Sequence, residues 1–269
     1  DYLSWLKSSP LKALDHGKHR IDSVPVLLER SVGEVSPTAA KALRTIGHLA
    51  YAPFLPEPVS ATLELPPTET KRYLGELVKF GLLTKKETES FYLPSHALVH
   101  TFSGTPRDPD ITRHLATYFD NFVRKHRENG SEGFARLNPS RPHLMRVLST
   151  CMNLSLWSEA KDLVWAMSNY LDLSGYRSDQ ITALESALTA ARKLKNKRDV
   201  GAFLGLLGSS YYHLSELNKA IDYYEQALTI SREIGDRRGE GNQLGNLGLV
   251  YSGLGQVEKS IEYYEQALT

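Results

Sequence analysis

AIDYYEQALT at 220–229 returns as SIEYYEQALT at 260–269, and the register runs backwards from there: 200–229 aligned with 240–269 gives 16 identities in 30 positions at an offset of 40. Self-similarity of this kind marks a stacked repeat and sets the fold before any single residue is weighed. The retained residues are Leu204/Leu244, Leu207/Leu247, Gly208/Gly248, Tyr211/Tyr251 and Leu214/Leu254, followed by Tyr224/Tyr264 and Ala227/Ala267. Steps of three and four put them on one face of a helix. The pattern breaks near 215–218 and 255–257 and then resumes, so each unit reads as a helical hairpin. Gly208 and Gly248 are expected where two helices approach closely, with Tyr211 and Tyr251 filling the space beside them and the small Ala220 and Ala227 matching them on the second helix.

This arrangement resembles the tetratricopeptide repeat, with Tyr224 and Tyr264 where that repeat has Phe, Ser260 in place of one Ala, and a period of 40 instead of about 34. The long period, with GDRRGEG at 235–241, is similar to the long-helix variety of kinesin light chains and Leu-Gly-Asn-type polarity scaffolds. A weaker echo precedes it: ESALTAARKLKNKRDVG at 185–201 lies 40 residues before EQALTISREIGDRRGEG at 225–241. It predicts a helix over 178–196 paired with one over 158–172; two more are expected at 110–128 and 142–154. We therefore expect a mainly α chain whose irregular helical repeats occupy 106–199 and whose two tetratricopeptide repeats occupy 200–269. The sequence stops at Thr269 inside a helix, with Tyr263, Tyr264 and Ala267 set to pack on a following unit, which reads as an array cut short.

In such arrays the first helix of each hairpin lines the concave face. Ser209, Tyr212, His213, Asn242, Asn246 and Ser252 are then expected to point into the groove, the plain alternative being that they are exposed polar residues. The resemblance implies that Asn246 holds the position at which the scaffold family uses Asn to hydrogen-bond a ligand backbone. An amide both donates and accepts, so it can clamp an extended peptide without reading its side chains. The implied partner is a protein or peptide.

Upstream, Ser36-Pro37 reads as an N-cap and a first-turn proline opening a helix through Leu43, Ile46, Leu49 and Ala50. A short helix follows over 58–63. Pro66-Pro67-Thr68 opens a third, with Tyr73, Leu74, Leu77, Val78 and Phe80 on its apolar face and Gly81 as its stop. Strands over 82–85 and 90–93 then flank the polar turn 86–89. Three helices and a short β-wing predict a winged-helix domain over 23–105. VPVLLERSVGEVSPTAAKALRTIGHLA (24–50) and ETKRYLGELVKFGLLTKKETESFYLPSHALVHTF (69–102) resemble the winged-helix domain of STAND-class NTPases of the NB-ARC type. That resemblance implies that residues 1–22 are the tail of a preceding helical domain and that an NTPase domain of the same chain lies upstream as a partner. It places the family's Met-His-Asp switch motif on Ser95-His96-Ala97, keeping only the His, so that His96 would contact the β-phosphate of ADP at rest. ADP and ATP belong to the full-length protein; no cofactor is expected in this fragment. No GxxxxGK[ST] loop occurs, so the fragment is not expected to be an enzyme.

The remaining features bound the alternatives. No apolar run approaches the ~18–20 residues of a membrane span, which excludes a membrane partner and points to the cytoplasm. The lone Cys151, among Met145, Val147, Leu148 and Leu154, reads as core. Nine histidines carry no metal-ligand spacing; His96 and His100, four apart, could share a metal only without a nearby acid or thiol. Lys71, Arg72, Lys79, Lys85 and Lys86 could meet DNA phosphates, but Glu69 and Glu76 interrupt them and the chain carries only +1 overall, so DNA is not the expected partner. Arg192, Lys193, Lys195, Lys197 and Arg198 are expected to complement a helix C-terminus. The reading is the regulatory half of a STAND-type switch, with a plain interaction scaffold and a DNA-binding regulator as alternatives.

Overall fold

The computed structural model describes residues 24–85 and 90–268. The tail assigned to 1–22 and the turn at 86–89 lie outside them. The chain is mainly helical and divides into two compact units, one ending at Leu154 and the other beginning at Ser155.

The first unit opens with α1 (Val24–Gly33) and α2 (Pro37–His48). Ser36 caps α2 as its sequence requires, its Oγ accepting from the Ala39 amide at 3.3 Å. The helix stops at His48, short of the expected Ala50. Then come α3 (Glu57–Leu63), α4 (Pro67–Lys79) and an antiparallel ladder of β1 (Leu83–Lys85) and β2 (Tyr92–Pro94). On α4, Leu74 and Leu77 are buried, whereas Phe80, expected on the same face, is 38% exposed because the helix has already ended. Leu82 and Leu83 fill the core in its place. Glu76 does more than interrupt a basic face: its carboxylate accepts from Ser36 N at 2.5 Å and Ser36 Oγ at 2.7 Å, tying α4 to the start of α2. Those two bonds hold its pKa below the ordinary carboxylate value.

A third strand-like contact escaped the sequence. Phe54 and Tyr92 exchange both backbone hydrogen bonds at 2.9 Å in an isolated bridge beside β2. The irregular segment leading to it leaves backbone groups that must find partners. His143 supplies two, its Nδ1 accepting from Ala50 N at 3.1 Å and its Nε2 donating to Pro53 O at 2.9 Å. His100 Nε2 donates to Leu49 O at 2.9 Å.

Beyond β2 lie α5 (Ala97–Ser103), α6 (Pro109–Arg127), α7 (Gly130–Leu137) and α8 (Arg141–Asn153). Sequence periodicity gave α6 and α8 but not the short α7. These helices pack within the first unit, α5 on α2, α6 on α3 and α8 on α6, where the sequence had placed 106–154 among the repeats. Cys151 is buried.

The second unit is three successive hairpins: α9 (Trp157–Leu173) with α10 (Arg177–Lys193), α11 (Lys197–His213) with α12 (Leu217–Ile234), and α13 (Arg237–Gly253) with α14 (Val257–Ala267). Their turns keep strict time. Ser155, Gly175, Lys195, Ser215, Gly235 and Gly255, each 20 residues from the next, all take a positive φ between 56° and 75°. After five of them the next amide reaches back five residues to close a Schellman turn, as in Tyr176 N to Leu171 O and Gln256 N to Tyr251 O, both 2.9 Å. The irregularity expected of 106–199 is thus absent from the backbone after 155; only the side chains there have diverged.

Hairpin closure follows the glycines, with one correction. A Cβ on Gly208 would stand 2.6 Å from the Tyr224 ring, and one on Gly248 2.8 Å from Tyr264. The space beside each glycine is therefore filled by Tyr224 or Tyr264, from the second helix, and not by Tyr211 or Tyr251. Those two instead stack on Tyr223 and Tyr263, centroids 5.3 Å apart and planes at 5° in both repeats. Lys219 and Lys259 cover the outer Tyr rings at 5.0 and 5.1 Å. Ser260, the departure from the repeat's Ala, is buried with its Oγ donating to Gly248 O at 2.8 Å. On α14, Tyr263 and Ala267 pack within their own hairpin. Its open stripe is Ile261, Tyr264 and Leu268, and the residues 40 earlier, Tyr224 and Leu228, are buried.

Candidate peptide-binding groove

Small residues on α11 open the surface of the second unit. Gly201, Ala202 and Gly205 recur on one face with Arg198, Leu206 and Ser209, a stripe at helical spacing that faces Arg238, Gly239, Asn242, Gln243 and Asn246 of α13. Trp165 of α9 closes one side, Ser231 and Ile234 contribute from the end of α12, and Asp236 from the start of α13. The cavity so formed has a volume of about 470 Å³, within the range in which a ligand can be held.

Its walls are held by interactions that engage most of the acids nearby. Asp199 accepts from Trp165 Nε1 at 3.2 Å and Asn196 Nδ2 at 2.7 Å and pairs with Lys161 at 3.1 Å. Asp236 caps α13 through Gly239 N at 3.0 Å. Glu233 pairs with Lys197 at 2.5 Å, and Glu240 with Arg232 and Arg237. Tyr224 lies behind Ser209, and burial pushes its phenol up to about 12, the Ser209 hydroxyl pulling the other way through a hydrogen bond.

His96 belongs to the first unit. It is exposed and caps α5, its Nδ1 accepting from Leu98 N at 3.1 Å. An acceptor Nδ1 places the neutral ring's proton on Nε2. His100, one turn on, is buried on Leu49 O, so the two rings do not share a ligand. Among the described residues no group of three or more His, Cys, Asp or Glu could hold a metal ion, and no helix is long and apolar enough to cross a membrane.

Residues 199–269 match the tetratricopeptide repeat family model. No curated protein matches the chain. Among solved structures it is similar to the crystal structure of the Signal Transduction ATPase with Numerous Domains (STAND) protein with a tetratricopeptide repeat sensor from Pyrococcus horikoshii. The identity is 15% and the TM-score 0.31, over 98% of this chain and 56% of that one. This chain thus spans a little over half of that protein's length. Tetratricopeptide repeats are protein-interaction modules that present a concave surface to their partners.

Of the six residues assigned to the groove from sequence, Ser209, Asn242 and Asn246 line the cavity. The other three do not. Tyr212 is half-buried against the cluster of Ala220, Tyr224, Leu228 and Leu244, its ring edge-on to His213 at 5.8 Å. His213 and Ser252 are exposed in the last turns of α11 and α13, past the end of the cavity. The other lining residues were missed, among them Trp165, Arg198, Arg238 and Gln243. Arg192 and Lys193 do end α10 as expected, but the turn at Lys195 puts Lys197 and Arg198 at the start of the next helix. A 40-residue alignment of Arg198 with Arg238 was the available signal.

Proposed function

We propose that this chain is the regulatory half of a STAND-type signalling NTPase, capturing a protein or peptide in the groove between α11 and α13 and reporting nucleotide state through His96. The groove carries the reading: an open surface of about 470 Å³ on a tetratricopeptide array, lined by Asn242, Asn246 and Ser209, which can donate to and accept from a ligand backbone. For the first unit the support is the order of three helices and a two-stranded ladder, which we take as a winged helix, together with the sequence resemblance around His96.

In this mechanism the ligand favours one arrangement of the repeats and winged helix over another, and the difference in its affinity for the two sets how far the switch moves. His96, with Nδ1 occupied as a cap, presents Nε2–H as a donor to the β-phosphate of ADP. Ligand capture withdraws that donor and lets nucleotide exchange. The test is ADP release from the chain joined to its NTPase domain. His96→Ala should speed release several-fold, and His96→Gln, which keeps a donor, should restore part of it. Unchanged release with a lowered melting temperature would leave His96 as a helix cap and the repeats as a plain scaffold.

A further inference from the structure

Gln243 occupies the place that Phe203 holds one repeat earlier, and Phe203 packs its ring on Trp165 with centroids 4.6 Å apart. Here an amide is buried instead. Gln243 is only 8% exposed, its Oε1 has no hydrogen-bond partner, and it lies against Gly205 on the groove wall, where an added Cβ would stand 2.9 Å from Nε2 and 3.1 Å from Oε1. An unpaired buried carbonyl costs stability that a methionine or phenylalanine at this position would not. The torsion at the end of the side chain is soft, so a small rotation turns the oxygen toward a ligand lying along Gly205.

The same groove carries two unpaired cations at equivalent places. Arg198 and Arg238, 40 residues apart, both line it, both are exposed, and neither has an ion pair among the described residues. Asp199, Glu233 and Glu240 are engaged elsewhere, and the lining acid, Asp236, is spent on capping α13. The two repeats around it lean the other way: residues 200–269 carry five basic side chains, Arg238 among them, and nine acidic ones. Two free guanidinium groups in an otherwise acidic array select against cationic ligands and for anionic ones.

We propose that the groove takes an extended peptide segment bearing acidic side chains, carboxylate or phosphate, which Arg198 and Arg238 neutralise while a backbone N–H of the peptide donates to Gln243 Oε1. This rests on the groove being the ligand site. Gln243 contributes to affinity independently of sequence, and the two arginines supply the selection.

An array of short random synthetic peptides, some carrying phosphoserine, probed with the whole chain, tests it. Binders should be enriched in Asp, Glu or phosphoserine, the split between these telling carboxylate from phosphate. The double variant Arg198→Glu, Arg238→Glu should move the enrichment to Lys and Arg. Gln243→Met should weaken the selected peptides about tenfold without lowering the melting temperature. Binders that lack acid enrichment but compete for the groove would overturn this inference and leave the groove reading standing. Binders indifferent to every groove variant, or none at all, would overturn both.

Discussion

His143 and His48 each join a backbone donor to a backbone acceptor. His143 does so between Ala50 N and Pro53 O, and His48 between Asp108 N at 2.8 Å and Arg44 O at 2.9 Å. Each ring therefore needs one bare nitrogen, which protonation removes. Burial lowers the pKa of His48, His100 and His143 from the ordinary 6.5, with the Arg146 and Arg107 charges adding to the effect at His100. The unfolded chain then binds protons that the folded one refuses, so stability is complete above about pH 6.5 and declines as pH falls below it. Thermal unfolding of the first unit should move to lower temperature between pH 7.5 and pH 5.5, where ordinary carboxylates do not titrate. His143→Gln, which can still donate and accept, should flatten part of that slope. None of this was legible in the sequence, because each histidine's role is set by a carbonyl or amide distant along the chain.

The hairpins were far more legible, and the reason is repetition. Gly248 and Gly208 announce themselves by recurring, and each proves to sit under a tyrosine ring at a distance no side chain could share. Gly248→Leu should destabilise the array by ~1–3 kcal/mol through overpacking, whereas Ser252→Ala, on an exposed last turn, should be nearly neutral. Equal melting temperatures for the two would show that the packing face is misassigned. Repetition also misled: Tyr211 is as well retained as Tyr224, and the sequence could not say which of the two rings covers the glycine and which stacks on Tyr223. Where the repeat changes residue, as at Phe203 and Gln243, alignment alone reads divergence, and only burial without a hydrogen-bond partner marks the change as chemistry. The Phe54–Tyr92 bridge was hidden for another reason, since a single pair of residues has no period to detect.

Two compact units of different construction make up the chain. The first depends on non-local polar bridges from histidines, Glu76 and Ser36. The second depends on a 20-residue turn rhythm and on neighbour-to-neighbour packing, which leaves the facing surfaces of α11 and α13 free to hold a ligand. That division is why the regulatory reading places capture in the repeats and nucleotide sensing at His96. Its central claim, that a ligand lies along the concave groove, is tested most directly by photo-crosslinking a peptide selected on the whole chain and mapping the attachment sites by mass spectrometry. The account predicts attachment within 198–209 and 238–246, lost when Gly205→Trp fills the groove. Attachment confined to α10, α12 or the exposed face of α4, persisting in that variant, would contradict it.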